Sequence, residues 1–163
     1  MMHLYLVQHG EAKSEAEDSA RPLSEQGAEW VRRMAAWSVN GQIRVDQIRH
    51  SGKLRAAQTA ELFHEQLRPP GGVIAVSGIG PKDDVLGTAK ALDREGQAIM
   101  LVCHLPFLSR LASQLLIGDP DKALVRFRNA GIVCLARDGG EWLIDWTLVP
   151  ELLPKRTDSD AGN

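Results

Sequence analysis

The 163-residue chain is 44% hydrophobic and has a formal net charge of −2, with 19 Lys and Arg against 21 Asp and Glu. This composition indicates one globular domain with a sizeable core, and the lack of a long basic run argues against non-specific binding of nucleic acid. No apolar run approaches the length of a membrane span and the first residues lack a signal-peptide pattern, so we expect a cytoplasmic protein with no membrane partner.

The first predicted elements are a strand at residues 3–7, a polar loop over residues 11–21 and a helix capped by Ser24. Trp30, Met34 and Trp37 fall at the spacing of one helical face, and we predict that they are core residues. Asn40-Gly41 provides the stop signal of this helix.

Short apolar runs then alternate with helical periodicity. Strands are predicted at residues 47–49, 73–76 and 98–103, each followed by a helix. The predicted buried positions of these three helices are Ala56, Ala60, Phe63 and Leu67, then Val85, Leu86, Ala89 and Leu92, and finally Leu108, Leu111, Ala112 and Leu115. Two last strands, at residues 131–136 and 142–148, flank Asp138-Gly139-Gly140 and predict a hairpin.

This order predicts an α/β fold, a three-layer α/β/α sandwich with a mostly parallel central sheet and an antiparallel edge. We expect residues 1–150 to form a single domain and residues 151–163 a polar, flexible tail. Cys103 and Cys134 fit no metal or redox spacing and are interpreted as buried small residues.

Side chains able to handle phosphate follow three of the predicted strands. His9, Ser51 and His104 each follow the end of a predicted strand within two residues, and Arg55 lies on the first turn of the helix after Ser51. The carboxyl ends of parallel strands meet at one rim of a sheet, so we expect these residues to lie together. Arginine matches phosphoryl oxygens, helix N-termini add N–H donors, and an imidazole can attack phosphorus.

Four motifs in this order resemble the histidine phosphatase superfamily, whose fold is phosphoglycerate mutase-like. They are Gln8-His9-Gly10-Glu11-Ala12, Arg21-Pro22-Leu23-Ser24, Ser51-Gly52-Lys53-Leu54-Arg55-Ala56-Ala57-Gln58-Thr59 and His104-Leu105-Pro106. The short chain and the Arg-Pro-Leu segment most resemble the SixA-type phosphohistidine phosphatase branch.

The resemblance implies a phosphatase that needs no cofactor and no metal. His9 would be phosphorylated transiently, while Arg55 and His104 would hold the equatorial oxygens in the transition state. The implied substrate is a phosphohistidine-bearing phosphorelay or phosphotransfer protein, and phosphate or a similar oxyanion would occupy the site.

Gln8 departs from the family pattern, which has arginine before the histidine. Glutamine donates only neutral hydrogen bonds, so phosphate is held less firmly unless Lys13, Arg21 or Lys53 replaces the missing charge. We predict that Gln8, Arg21, Ser51 and Lys53 bind substrate, and we favour Arg21 as the replacement. A weakly active or non-catalytic phosphohistidine or phosphate binder is the alternative that Gln8 leaves open.

The general acid is a second open point. Asp83 and Asp84 follow the third strand and are either acids or caps of the next helix, with the cap favoured. A phosphohistidine substrate tolerates a missing acid, because its leaving imidazole has a pKa near ~6.5.

Two enzymatic alternatives remain. A small-molecule phosphomonoesterase is disfavoured because the short chain leaves little sequence for a substrate lid. A metal-dependent hydrolase built on His9, His50, Cys103 and His104 lacks supporting ligand spacing, and strand alternation separates Cys103 from His104.

Overall fold

The computed structural model describes residues 1–155, which form a six-stranded sheet with helices on both faces. The strands are β1 (Met2–Gln8), β2 (Gln47–His50), β3 (Val73–Ala75), β4 (Ile99–Cys103), β5 (Ile132–Asp138) and β6 (Glu141–Leu148). The helices are α1 (Glu25–Asn40), α2 (Leu54–Leu67), α3 (Leu86–Leu92), α4 (Phe107–Ile117) and the short 3₁₀ helix Pro150–Leu152.

The strand order is β3-β2-β4-β1-β5-β6. β1, β2, β3 and β4 pair in parallel, whereas β5 is antiparallel to both β1 and β6. The predicted fold, a mostly parallel sheet with an antiparallel edge, is therefore confirmed. The turn of the terminal hairpin uses Gly139 and Gly140, both with positive φ, as a tight two-residue connection requires.

The core lies on both faces of the sheet, because the central strands are apolar throughout. In β1, Leu4 and Leu6 face the layer with α3 and α4, while Tyr5 and Val7 face α1 and α2. All five residues of β4 are buried. This double burial is the pattern expected of strands covered by helices on both sides.

Helix α1 begins at the predicted cap, since the Ser24 side chain accepts a hydrogen bond from the Gly27 N–H. The prediction that Trp30 and Trp37 are core residues is wrong: only Met34 of that set is buried. The buried stripe of α1 follows Gly27, Val31, Met34, Ala35 and Ser38, and the two tryptophans flank it. Each indole therefore covers the margin of the core, and Trp37 packs edge-on against Trp146 at 5.5 Å between centroids.

The prediction that Leu86 is a buried residue of its helix is also wrong. Leu86 is 45% exposed because α3 begins there, and Val85, Ala89 and Leu92 make the buried side of that helix.

The chain after β6 continues into the short 3₁₀ helix, and the Arg33 guanidinium donates to the Pro154 carbonyl. Residues 156–163, the greater part of the predicted tail, lie outside the described residues. Within residues 1–155, no helix has both the length and the apolar character needed to cross a bilayer.

Candidate active site

His9 stands directly after β1, at the carboxyl end of the parallel strands. Its backbone N–H donates to the Cys103 carbonyl of β4 (3.1 Å), and its own carbonyl accepts from the Asn129 side-chain amide (2.9 Å). The imidazole Nδ1 lies 2.7 Å from the Gly10 carbonyl. A carbonyl can only accept, so Nδ1 carries the proton and Nε2 keeps a lone pair for attack on an electrophile.

Gly10 lets the chain turn under α1. A Cβ at this position would lie 2.8 Å from the Val31 side chain and 3.1 Å from the Gly27 carbonyl oxygen, so a larger residue would force these neighbours to move. The Gly10 N–H donates to the Thr59 hydroxyl of α2 (2.9 Å), and that hydroxyl donates to the Arg55 carbonyl (2.8 Å). Thr59 thus joins the His9 loop to the helical turn that carries Arg55.

His104 follows β4 and is only 2% exposed. Its ring centroid lies 5.0 Å from that of His9, and its Nε2 lies 2.5 Å from the Ser51 hydroxyl. The Ser51 oxygen also accepts from the Lys53 N–H (3.4 Å), and we assign the hydroxyl proton of Ser51 to the bond with Nε2. The remaining proton of a neutral His104 then sits on Nδ1, a buried atom with no hydrogen-bond partner among the described residues. It is a donor available to a ligand.

Three cations surround the two imidazoles. The pKa of His9 is lowered to about 4, mainly by burial. The hydrogen bond to Gly10 raises this pKa in part, whereas the charges of Arg55 and Arg21 lower it further. Burial, followed by His9, Arg55, Lys53 and Arg21, lowers the pKa of His104 to about 3. Both rings are therefore neutral at physiological pH, and the positive charge of the site comes from the arginines and the lysine.

Arg55 and Arg21 reach the site from different segments. Arg55 lies on the first turn of α2, and its Nε is buried without a hydrogen-bond partner in the described part of the chain. The Arg21 Nε donates to the Lys13 carbonyl (3.1 Å), which holds this side chain across the loop after β1. Burial and the neighbouring Arg21 lower the pKa of Arg55. Two arginines held this close indicate a site built for an anion.

Gln8 lies beside this cluster, at the end of β1. It lines a groove of about 400 Å³ together with Trp30, Leu105, Arg128 and Asn129. Its Oε1 is buried and has no hydrogen-bond partner within residues 1–155. This unpartnered atom is an acceptor, so an anion could bind only the amide N–H groups of Gln8.

The carboxylates considered as general acids bind backbone groups of their own loop. Asp83 accepts from the Gly80 N–H (2.7 Å), and Asp84 accepts from the Leu86 N–H (3.2 Å) at the start of α3. Asp83 therefore closes a loop turn and does not cap α3, and only Asp84 bonds the first residue of that helix, whose N-cap residue is Val85.

Among residues 1–155, two other groups of the metal-hydrolase alternative form no cluster of ligand atoms with the histidine pair. Cys103 is buried in the core on the α3 and α4 side, where burial raises the pKa of its thiol to about 12. The His50 Nδ1 accepts from the Gly52 N–H (3.1 Å). Within residues 1–155, the side chains that come close enough together to share a metal ion are His3, Cys134 and Asp145, at the other end of β1.

The sequence interpretation gave no role to three residues that build the site: Gln58, Thr59 and Asn129. Gln58 accepts from the Leu23 N–H (2.8 Å) and so fastens the Arg-Pro-Leu segment to α2. Gln58 and Thr59 belong to the motif that runs from Ser51 to Thr59, and this membership was the signal that could have identified them. No sequence signal pointed to Asn129, because its loop precedes an antiparallel strand and does not follow a parallel one.

Comparison with known proteins places this geometry in context. No model of a known protein family matches the sequence. The phosphohistidine phosphatase SixA of Escherichia coli K12 is 30% identical over 155 residues, which cover 91% of this chain and 94% of that protein. A structure of the protein histidine phosphatase SixA complexed with tungstate superposes with a TM-score of 0.79 at 29% identity, over 91% of this chain and 97% of the other.

More distant proteins share the fold alone. Phosphoserine phosphatase from Entamoeba histolytica, in complex with 3-phosphoglyceric acid, has a TM-score of 0.70 at 16% identity, over 90% of this chain and 96% of the other.

Proposed function

Since the chain belongs to the SixA phosphohistidine phosphatase family of the histidine phosphatase superfamily, we propose that it hydrolyses phosphohistidine on a partner protein. The partner is a phosphorelay or phosphotransfer protein, and the reaction takes place in the cytoplasm. The observation that carries the proposal is the pairing of His9, whose Nδ1 bonds the Gly10 carbonyl and so leaves Nε2 free, with the buried His104 ring among three cations.

In the first step, the His9 Nε2 attacks phosphorus in line with the nitrogen of the substrate imidazole. The second ring nitrogen of the substrate imidazole first takes a proton from solvent. The new Nε2–P bond then forms as the substrate P–N bond breaks, and its electron pair stays on a neutral imidazole. Its pKa near ~6.5 makes it a good leaving group, so an aspartic acid is not required. Arg55, Arg21 and the His104 Nδ1–H donate to the phosphoryl oxygens, where the charge of the transition state is spread.

In the second step, water attacks phosphorus and the Nε2–P bond breaks. Inorganic phosphate leaves, and His9 regains its lone pair. The Gly10 carbonyl keeps the His9 proton on Nδ1 in both steps, so the same nitrogen acts as nucleophile and leaving group. Ser51 holds His104 in the tautomer that donates, Lys53 adds positive charge, and the Gln8 amide contributes neutral hydrogen bonds. No bound metal or cofactor enters either step.

The test uses a phosphotransfer domain labelled with radioactive phosphate on histidine. We expect the wild-type chain to release inorganic phosphate, with or without a chelator, and a brief reaction to leave acid-labile, base-stable label on His9. His9→Ala removes both the label and the turnover. Label on a serine, or undiminished turnover by His9→Ala, would show that the mechanism is wrong.

Gln8 favours a second candidate, a binder that does not turn substrate over. SixA binds tungstate, so this oxyanion is a suitable probe of the site. Tungstate binding without release of phosphate from any donor would identify a binder. Faster turnover of a small phosphate ester than of the phosphoprotein would instead identify a phosphomonoesterase.

A further inference from the structure

A second cluster of ligand-type side chains lies at the amino end of β1, away from the catalytic histidines. It consists of His3 on β1, Cys134 on β5 and Asp145 on β6, whose ligand atoms all lie within 4.8 Å of one another. His3 and His9 are six residues apart along an extended strand, so roughly 20 Å separates the cluster from the catalytic rim. The proposed phosphatase reaction uses none of these three groups.

The strand register explains why the three side chains meet. Tyr5 pairs with Cys134, and His3 lies two residues before Tyr5 on the same face of β1. Cys134 also pairs with Trp146 of β6, whereas the next residue of β5 pairs with Ile144. Asp145 therefore has no partner on β5 and forms a β-bulge. A β-bulge of this kind redirects a side chain, and here it brings the Asp145 carboxylate to His3.

The three ligand types and the separation of His3 from Asp145 suit a metal ion, and the Cys134 sulfur, within 4.8 Å of both, moves closer to them when the ion binds. The His3 Nε2 lies 3.4 Å from the Asp145 Oδ2, longer than the usual ~2.9 Å of a hydrogen bond. Two ligands on a tetrahedral Zn²⁺ at ~2.0–2.1 Å lie about 3.3 Å apart, which matches this separation. An imidazole, a thiol and a carboxylate together suit Zn²⁺, whereas Mg²⁺ and Ca²⁺ prefer oxygen ligands.

The burial of the three groups also suits such a site. Cys134 is fully buried, so its sulfur forms the floor, while the side chains of His3 and Asp145 are 35% and 45% exposed. An ion can therefore enter from solvent and keep one water as its fourth ligand. Tyr5 stacks over His3 at 6.2 Å between centroids and limits the orientation of the imidazole.

We propose that His3, Cys134 and Asp145 form a Zn²⁺ site that links β1, β5 and β6. On binding, the Zn–S bond forms as the Cys134 S–H bond gives its proton to solvent, and no oxidation or reduction takes place. The ion joins three strands from distant parts of the sequence, so it stabilises the folded state over the unfolded chain. It touches no reacting atom, and phosphatase turnover is independent of it.

Co²⁺ is the spectroscopic probe, used with the full chain after removal of any histidine tag and treatment with a chelator. We expect one equivalent to bind with a thiolate-to-cobalt charge-transfer band and tetrahedral visible bands, and Zn²⁺ to displace it. Cys103→Ser, which changes the other buried cysteine, keeps the charge-transfer band. Cys134→Ser loses it.

A second measurement does not depend on how well Cys134→Ser folds. His3→Gln and Asp145→Asn change partly exposed side chains, and each should weaken Zn²⁺ binding by at least ~10-fold, as the loss of even an outer-sphere partner does. Zn²⁺ should raise Tm of the wild type and of Cys103→Ser, and raise it less in His3→Gln. Cobalt bound without a thiolate band, or unchanged affinity in both His3→Gln and Asp145→Asn, would overturn the site.

Discussion

Arg21 and Gln8 are the two residues that we propose to set how strongly the site holds an oxyanion. The structure places Arg21 near enough to His9, His104 and Arg55 to lower the pKa of all three. Arg21 also adopts a left-handed φ of 49°, which a residue other than glycine rarely does. The loop is thus held in an unusual conformation that brings this guanidinium to the site.

We therefore predict that Arg21→Ala weakens tungstate binding at least ~10-fold, because a hydrogen bond from a charged group contributes ~1.5–3 kcal/mol. Gln8→Arg should leave the affinity unchanged or reduce it, since the added charge meets cations already present. Titration calorimetry measures both, with the exposed and remote Arg44→Ala as the matched control. Tighter binding by Gln8→Arg together with unchanged binding by Arg21→Ala would contradict compensation.

The lowered pKa of His9 predicts the acid limb of the activity profile. Attack requires the unprotonated Nε2, and burial holds the pKa of His9 at about 4 against 6.5 for an ordinary histidine. We expect kcat/KM for the phosphoprotein to stay level from about pH 7 to pH 5 and to fall as His9 is protonated near pH 4. The profile should be measured in parallel with circular dichroism, so that loss of fold is separated from protonation. A midpoint near 6.5 in the folded protein would contradict this account.

Among the elements, α1 constrains the His9 loop through one close approach. A Cβ on Gly27 would lie 2.1 Å from the Glu11 carbonyl oxygen, so α1 packs directly on the backbone that follows His9 and Gly10. Ser24, the cap of α1, also donates its backbone N–H to Glu11. The position of His9, the proposed nucleophile, thus depends on how α1 packs.

Gly27→Ala is predicted to destabilise the fold by ~1–3 kcal/mol, the usual cost of overpacking, despite the better helix propensity of alanine. For a domain of this size, Tm falls by roughly 2–4 °C for each kcal/mol. Gly87→Ala in α3 is the matched control, because a Cβ there meets nothing within 4 Å, and it should be neutral or slightly stabilising. Differential scanning calorimetry compares the two variants. Equal Tm shifts would show that the close approach does not constrain α1.

The elements were largely predictable because strands buried on both faces read as continuous apolar runs and the helices carry caps and stop signals. Periodicity identifies a helical face but not its edges, so it could not separate Met34 from the flanking Trp30 and Trp37. The bulge at Asp145 depends on the pairing of β5 with β6, which the sequence does not display. Strand ends predicted where His9 and His104 lie, whereas the contact of Asn129 with His9 arises only from the tertiary fold.

For the whole molecule, the site combines segments that are far apart in sequence around two neutral imidazoles. Burial is the first cause of the low pKa of both His9 and His104, so the folded protein resists protonating them. The unfolded chain binds these protons near pH 6.5. Below that pH the unfolded state carries more protons than the folded state, and stability falls with decreasing pH. The loss continues until the folded protein is itself protonated, near pH 4 for His9 and pH 3 for His104.

We predict that the free energy of unfolding falls between pH 6 and pH 5 by ~1 kcal/mol for each of the two imidazoles, in addition to contributions from other groups. His104→Gln removes one of these protonations, so its stability should depend less steeply on pH over this interval by about the same ~1 kcal/mol. Urea unfolding at each pH gives the comparison, and His9→Gln provides an independent repeat at the less buried imidazole. Parallel pH dependences in the wild type and both variants would contradict the assignment, because other groups would then account for the acid sensitivity.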